Sequence, residues 1–387
     1  MTIDLYEYVP TRTSISSPGV SIHSLGTRTL SLAFSNPLTS NQVPPIIARG
    51  HSNGITLLRP VVFRTHRLQY LCEIFVGAAT KLVKVLDGSS TTLFVVSVHT
   101  DYSVRSHVVK FENSAVIVDQ VSTLTGTSGH AAPVSCLDAL ISGTILWTAT
   151  AGDDNTFIIS RTDNTTGDFV EPRAYRLSYT ASAVVFLPES TVSRTKVAVL
   201  EAPSRIRVFD CVNGSWLLNI YPGFTTALSS YPVSGMKGAA IVAITEKGWR
   251  AYKGVTYPEE ETGQGIRGGS GYTYPSDHGL FRGKEGDTTV AKVVVAVGRT
   301  VAKIGVGEEG GVGVFDLASS SEYGIHVPVK FLTSDITVAA VSDDGRSVAV
   351  ACGAELVLIA LSRDDDVGMD SVEENSVVYN DRLPIGY

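Results

Sequence analysis

Residues 129–160 read GHAAPVSCLDALISGTILWTATAGDDNTFIIS, and this stretch decides the fold class. A Gly-His pair opens it. Runs of strand-forming residues follow at 134–140, 145–151 and 156–160. The last two runs are separated by Gly152-Asp153-Asp154-Asn155, four residues that favour a tight turn. The stretch therefore predicts three consecutive strands.

This order of a Gly-His pair, strands and an acidic turn resembles one blade of a WD-repeat β-propeller. Related patterns recur every 40–50 residues or so, as expected for four-stranded blades. They lie at 50–86, 182–220, 226–253, 290–330 and 336–361. The segments 29–34, 46–49, 104–110 and 116–121 also resemble strands and supply a seventh blade. The sequence predicts an all-β, seven-bladed propeller of degenerate WD-like repeats.

The first of these copies is predicted to open at Gly50-His51, with strands at 55–58, 71–76 and 82–86. Thr80 takes the place of the turn Asp in this copy. Ring closure requires a strand from one end of the chain to join the blade at the other. Residues 3–8, or a segment near Val377, are the candidates.

Two segments do not fit a blade. Residues 256–287 are rich in Gly and charge and are predicted to be mostly a long inserted loop. The acidic stretch 363–387 is predicted to be a tail, at least partly disordered. The predicted organisation is a propeller over 1–362 followed by this tail.

Charge and composition exclude several classes of function. The net charge is −7, and Lys and Arg form no cluster, so direct binding to nucleic acid is not expected. An acid early in the N-terminus argues against a signal peptide, and the apolar runs are too short to span a bilayer. The four cysteines are far apart and are expected to be buried, reduced thiols. These features indicate a cytosolic or nuclear protein without membrane insertion.

His130, Thr150 and Asp154 are the candidates for a buried polar network in the 129–160 blade. The Asp154 carboxylate would accept from the histidine and from backbone N–H groups. Ser160 stands in the slot where a WD blade has a Trp, so the network is at best reduced. The alternative is that Asp154 is a solvated turn residue.

The sequence carries no strong catalytic or cofactor motif. Gly305, Gly307 and Gly310 match the dinucleotide pattern GxGxxG, but another strand-like run, GVGVFD, follows where that motif needs a helix. These glycines therefore predict a hairpin. A phosphate loop, HExxH and GxSxG are all missing from the sequence. We expect no cofactor, no metal and no enzymatic activity.

The stretch 129–361 resembles the nucleoporin thirty-seven family, WD-repeat subunits of the Y-shaped outer-ring complex of the nuclear pore. The resemblance rests on the order of the Gly-His blade, VAVLEAPSRIRVFD with a following LLNI, and GAAIVAITEKGWRAYK. It implies a non-enzymatic scaffold at the nuclear pore, bound to the large propeller-and-helix nucleoporin of one arm of the Y.

Tyr272, Tyr274 and Phe281 of the insert are candidate contacts with that partner, because exposed aromatic residues often anchor interfaces. The alternative is that they pack on their own blade. Two other functions remain open. One is a WD-repeat adaptor in another assembly, such as ubiquitin-ligase or chromatin machinery. The other is a propeller enzyme with acids or histidines converging on the central channel.

Overall fold

The computed structural model describes residues 5–8, 19–35, 45–60, 68–89, 91–112, 115–143, 145–163, 169–188, 195–201, 204–232, 239–245, 248–255, 277–280, 291–305, 311–317, 325–328 and 336–360. Within these ranges the only helical element is a 3₁₀ turn, Gly126–Ser128, and the remaining regular structure is strand. No helix in the described ranges is long and apolar enough to cross a membrane.

The strands form seven antiparallel sheets, which are the seven blades of a β-propeller. Two N-terminal strands come first, β1 (Leu5–Tyr8) and β2 (Gly19–Ser24). Blade 1 contains β3 (Ser31–Phe34), β4 (Ile47–His51), β5 (Gly54–Pro60) and β6 (Leu68–Phe75). Blade 2 contains β7 (Thr80–Ser89), β8 (Thr92–His99), β9 (Val104–Glu112) and β10 (Ala115–Leu124). Blade 3 contains β11 (Val134–Ser142), β12 (Ile145–Gly152), β13 (Thr156–Asp163) and β14 (Phe169–Arg176).

The remaining blades follow in chain order. Blade 4 contains β15 (Ala181–Leu187), β16 (Lys196–Glu201), β17 (Arg205–Asp210) and β18 (Ser215–Ile220). Blade 5 contains β19 (Ala227–Pro232), β20 (Ala239–Ile244), β21 (Gly248–Val255) and β22 (Asp277–Leu280). Blade 6 contains β23 (Ala291–Val297), β24 (Thr300–Gly305), β25 (Gly311–Asp316) and β26 (Ile325–Pro328). Blade 7 contains β27 (Ile336–Val341), β28 (Ser347–Cys352) and β29 (Glu355–Ala360), completed by β2 and then β1.

The predicted fold class is confirmed, but the borders of the first two blades are corrected. Gly50-His51 ends β4 and opens no blade. The strands predicted after it belong to two sheets, because β5 and β6 complete blade 1 while β7 begins blade 2. Thr80, which the sequence placed in the turn slot, is the first residue of β7.

Ring closure is also corrected. The strand that pairs with β29 is β2, with Gly19 opposite Ala360 and Ser24 opposite Glu355. β1, which overlaps the predicted segment 3–8, pairs with β2 and forms a fifth strand outside it. The alternative segment near Val377 lies outside the described residues. Pairing of an N-terminal strand with the last blade removes the free edge of β29.

The loops of the propeller sort onto two faces. On the upper face lie the loops from the fourth strand of one blade to the next blade, together with the turns between second and third strands. These two groups are hydrogen-bonded to each other, as in Val76 N to Asn53 O at 3.0 Å and Leu177 N to Asn155 O at 2.8 Å. The turns between first and second and between third and fourth strands lie on the lower face.

The core is divided among the seven borders between blades, each filled by its own apolar cluster. At the border of blades 3 and 4, Phe157, Phe209 and Trp216 pack edge to face or tilted, with ring centroids 4.9–5.8 Å apart. Successive side chains of a strand point to opposite faces of the sheet, so each blade contributes apolar side chains to the clusters on both of its sides. The architecture is thus held by interblade packing and needs little of the WD consensus.

Two further predictions fall on partly described segments. Within the segment 256–287, predicted to be mostly a loop, only residues 277–280 are described, and they form a strand, the fourth of blade 5. The rest of the loop prediction lies outside the described residues. The glycine-rich stretch after Gly305 joins two antiparallel strands, with Ile304 opposite Val312, which confirms the predicted hairpin. The predicted acidic tail lies outside the described residues.

Candidate functional site

The structure brings His130, Thr150 and Asp154 together at the upper face of blade 3. His130 Nε2 lies 2.9 Å from Thr150 Oγ1, and its Nδ1 lies 3.2 Å from Asp154 Oδ2. The carboxylate also accepts from the backbone N–H groups of Ala131 and Thr156, each at 2.9 Å. Asp154 thereby ties the loop before β11 to the turn between β12 and β13.

The electrostatics of this network follow from its burial. Burial lowers the pKa of His130, against the opposing effect of Asp154, so the ring is neutral at pH 7. Burial acts to raise the pKa of Asp154, but the hydrogen bonds from Ala131, His130 and Thr156 outweigh it and the pKa lies below its usual value. A neutral imidazole then donates from Nδ1 to the carboxylate and accepts the Thr150 hydroxyl proton at Nε2.

Ser160 does not join the network. Its hydroxyl is buried and has no hydrogen-bond partner within the described part of the chain. It lies opposite Thr148, whose hydroxyl is likewise buried and unpartnered there. The slot that holds a Trp in a WD blade therefore contributes no hydrogen bond to His130 or Asp154.

His51 does not repeat the role of His130. It ends β4, where its Nδ1 accepts from Asn53 N at 3.3 Å and its Nε2 lies 3.3 Å from Glu73. Burial first and Arg49 second lower its pKa, and Glu73 acts in the opposite direction. Arg49 itself is buried and donates to Thr29 Oγ1 at 2.8 Å.

A second histidine network, missed in the sequence, lies in blade 2. His99 Nε2 is 2.9 Å from Ser97 Oγ, and His99 Nδ1 is 3.2 Å from Thr80 Oγ1. The following turn holds Asp101, which accepts from Ser103 N at 3.1 Å as Asp154 accepts from Thr156 N. The sequence signal was a turn Asp four residues after a hydroxyl residue, since Ser97 and Asp101 are spaced as Thr150 and Asp154 are.

The innermost strands are joined around the ring by side-chain hydrogen bonds at every blade border. In three of these bonds a hydroxyl near the start of a first strand donates to a backbone carbonyl at the start of the blade that follows. They are Ser31 Oγ to Thr80 O at 3.3 Å, Ser135 Oγ to Ala181 O at 2.8 Å and Thr337 Oγ1 to Thr29 O at 3.0 Å. Ser135 and Thr337 occupy β-bulges at the same position of their strands, so the joint recurs with the blade geometry.

The other four borders are joined lower on the first strands or at the turns that follow them. The contacts are Lys84 Nζ to Asp138 Oδ1 at 2.7 Å, Ser230 Oγ to Phe186 O at 2.6 Å, Ser229 Oγ to Gly298 O at 2.7 Å and Thr300 Oγ1 to Asp343 O at 3.1 Å. Asp138 spans three blades, because its second oxygen accepts from Phe186 N at 2.8 Å. These polar groups, on the first strands and the turns that follow them, thus hold neighbouring blades together.

A cavity of about 210 Å³ lies between blades 3 and 4 towards the lower face. Its walls include Trp147 and Val212, and at its rim Glu171 is paired with Arg161 and Arg173. Arg161 also stacks over Trp147, 5.8 Å from the ring centroid. Among the described residues that line the cavity, Glu171 is the only carboxylate and there is no histidine.

The predicted thiols are only partly as expected. Cys136 and Cys211 are buried, whereas Cys72 and Cys352 are half-buried, and none of the four forms a disulfide. Burial raises the pKa of Cys136 to about 12 and that of Cys72 to about 11. Thiols held in the protonated form are poor nucleophiles. Among the described residues, no group of three His, Cys, Asp or Glu side chains has the arrangement of a metal site.

The predicted partner contacts are not tested by the geometry. Tyr272, Tyr274 and Phe281 all lie outside the described residues.

Comparisons with known proteins identify the fold and no family. No protein-family model matches the chain, and no curated protein sequence is significantly similar to it. Among solved structures, it is similar to Raptor of Chaetomium thermophilum, with a TM-score of 0.55 and 12% sequence identity. The match covers 89% of this chain and 28% of the Raptor chain, so this chain spans less than a third of that protein. At this identity the likeness shows the propeller fold alone.

Proposed function

We propose that this protein is a non-enzymatic scaffold whose propeller holds partner proteins together. The observation that carries the proposal is the engagement of interior charged groups in structural joints. Both oxygens of Asp138 are bonded, one to Lys84 and one to Phe186 N. The Asp154 carboxylate accepts hydrogen bonds from His130 and from two backbone N–H groups. A general acid or base needs a free proton-transfer position facing a substrate, and these carboxylates do not offer one.

The buried histidines support the same conclusion. Burial, with Arg105 contributing, lowers the pKa of both His99 and His107 to about 4. These rings are neutral at pH 7, and a ring with so low a pKa is a weak base. Asp343 also has a pKa raised by burial, with Lys84 opposing that shift, and its backbone carbonyl accepts from Thr300 Oγ1 across the border of blades 6 and 7.

For the cellular role, we propose a subunit of the Y-shaped complex of the nuclear pore, docked on its large propeller-and-helix nucleoporin. The support is the order of sequence motifs that resembles the nucleoporin thirty-seven family. In the structure these motifs fall on consecutive blades. VAVLEAPSRIRVFD spans the second and third strands of blade 4, and GAAIVAITEKGWRAYK those of blade 5.

The test is purification of the chain from its own cells with a C-terminal tag, under conditions that keep large assemblies intact. We expect the Y-complex nucleoporins to co-purify in near-equal amounts, and a fluorescent fusion to mark the nuclear rim. The matched control is the tag alone. Recovery of ubiquitin-ligase or chromatin subunits in fixed stoichiometry would replace the pore assignment by another adaptor role. A chain recovered alone would contradict both.

A further inference from the structure

Most of the exposed aromatic side chains among the described residues lie on the upper face of the propeller; Tyr70, on the outer strand β6, is the exception. Phe75, Tyr179, Tyr221 and Phe224 are 77%, 58%, 50% and 68% exposed. All four lie at the end of a fourth strand or in the loop that leads from it to the next blade. Large aromatic residues are costly to leave in water and are enriched at the centres of protein interfaces. Their concentration on one face indicates a contact surface.

An arginine holds each of these loops in place. Arg105 Nη1 donates to Val76 O at 3.0 Å, next to Phe75, and Arg250 Nη1 donates to Pro222 O at 2.7 Å. Arg205 stacks over the Tyr179 ring, 5.4 Å from its centroid. Each arginine lies at the start of the third strand in the blade that follows the loop. The aromatic side chains are therefore presented by fixed loops, which reduces the entropy that a partner must overcome on binding.

The described residues of the upper surface around blades 4 and 5 also carry excess positive charge. Arg205 and Arg207 share one carboxylate, Glu201, whose side chain is fully buried. Among the described residues, one positive charge therefore remains, and Arg250, which is hydrogen-bonded to the Pro222 carbonyl and to Tyr252, adds a second. The whole chain has a net charge of −7. This local excess makes the area electrostatically distinct from the rest of the protein.

We propose that Tyr179, Tyr221 and Phe224, with Arg205 and Arg250, form a docking surface for a protein segment with apolar side chains flanked by carboxylates. We name this set the blade 4/5 patch. The apolar side chains of the partner would pack on the three rings, and its carboxylates would meet the arginines. The inference rests on the proposed scaffold role and names a surface and a partner chemistry for it.

Two other occupants fit the patch less well. Nucleic acid needs several positive charges spaced along its backbone, and the described residues of the patch leave a net of only about two, one from the Arg205–Arg207–Glu201 group and one from Arg250. The acidic residues after position 362 are a second candidate. They follow β29, which runs from the turn at 353–354 on the upper face to Ala360 at the lower face. The chain therefore leaves blade 7 on the face opposite the patch.

The experiment uses the purified full chain to select binders from a phage library of random 15-residue peptides. We expect enrichment of peptides with aromatic or leucine residues next to Asp or Glu. The best of them, labelled with fluorescein, is then measured by fluorescence anisotropy. Phe224→Ser, Tyr179→Ser and Arg250→Glu should each weaken binding by about 10-fold or more. Val212→Ser, at an exposed apolar position on the lower face, is the matched control and should leave affinity unchanged.

Each variant is checked for an unaltered thermal transition, so that a loss of binding is not a loss of fold. Lack of enrichment, enrichment of basic peptides, or binding insensitive to the three patch variants would overturn the proposal. Patch-dependent binding of a labelled 20-nucleotide single-stranded RNA would assign the surface to nucleic acid instead. A gain in peptide affinity on removal of residues 363–387 would assign it to the tail. Peptide binding is measured on the isolated chain, so its result tests the docking surface and does not depend on which assembly co-purifies from cells.

Discussion

His99 lies at the position in blade 2 that Gly152 occupies in blade 3. His99 pairs with Thr80, the first residue of β7, as Gly152 pairs with Val134, the first residue of β11. In blade 3 the imidazole comes from the preceding loop, and a Cβ on Gly152 would lie 2.9 Å from His130 Nδ1. In blade 2 the imidazole belongs to a residue of the strand itself. In both blades the imidazole contacts a hydroxyl at the same position of the second strand, Thr150 in blade 3 and Ser97 in blade 2.

Gly152→Ala is therefore expected to destabilise the fold by about 1–3 kcal/mol through overpacking. The added methyl would meet His130 Nδ1 at 2.9 Å and Asp154 Oδ1 at 3.1 Å. Urea denaturation followed by tryptophan fluorescence measures the loss. In a His130→Ala background the same change should cost less, because one of the clashing groups is gone. Equal costs in both backgrounds would show that the ring does not restrict this position.

Asp154→Ala is expected to lower the free energy of unfolding by about 1–3 kcal/mol, because it leaves the buried His130 and the N–H groups of Ala131 and Thr156 without their acceptor. Asp153→Ala is the matched control, since Asp153 is the exposed neighbour in the same turn. Chemical denaturation of both variants provides the comparison. Equal stabilities for the two would mean that Asp154 acts as a solvated turn residue.

Stability should fall below pH 6.5 because His99 and His107 are buried in the neutral form. Burial is the main cause that lowers the pKa of each to about 4, whereas an unfolded histidine has a pKa near 6.5. Between these values the unfolded chain binds protons that the folded chain does not. Each ring therefore costs stability as the pH falls through this window, on the order of 3 kcal/mol by pH 4.

The measurement compares the pH slope of unfolding free energy for the native chain and for His107→Gln. The comparison of slopes is needed because Asp87 acts in the opposite sense, its pKa being raised to about 6 by burial. His107→Gln leaves Asp87 in place and should flatten the slope between pH 6.5 and 4. Parallel slopes for the two proteins would rule out His107 as a source of the acid sensitivity.

The sequence was sufficient for the fold class and for the order of blades 3 to 7, although it missed the fourth strand of blade 5 and the closing strand β2 of blade 7. It failed in the borders of the first two blades for a definite reason. The Gly-His pair marks the loop before a first strand at 129–130 but the end of a second strand at 50–51. A two-residue pattern does not distinguish these places. The turn Asp with a hydroxyl residue upstream is more informative, because Ser97 and Asp101 are spaced as Thr150 and Asp154 are.

The docking surface had no such local signal. Tyr179 and Phe224 are isolated aromatic residues in short loops, and nothing in the neighbouring sequence shows whether they face solvent or a blade. Their exposure depends on the contact of Arg205 with the Tyr179 ring and of Arg250 with the 221–226 loop. Contacts between residues 26 or more positions apart are set by the tertiary fold, which a reading of the sequence does not supply.

Deletion of residues 259–276 tests the predicted contacts Tyr272 and Tyr274. The deletion stops before Asp277, because residues 277–280 form the fourth strand of blade 5 and their loss would expose β21. If the insert carries a partner interface, the truncated chain should retain its thermal transition but recover less of the co-purifying partner. Recovery equal to that of the full chain would exclude both tyrosines as contacts. Phe281→Ser in the intact chain tests the third residue separately.

Two truncations test the closure of the ring. Removal of residues 1–18 takes away β1 but keeps β2 on β29, so we expect a monomer with a slightly lower melting temperature. Removal of residues 1–24 deletes β2 as well, which exposes the backbone N–H and C=O groups of β29 along the six residue pairs it makes with β2. An unpaired edge of that length is a template for other chains. The longer truncation should therefore oligomerise, which light scattering after size exclusion would detect. A stable monomer from the 1–24 deletion would mean that β2 is dispensable and that the blade packing alone closes the propeller.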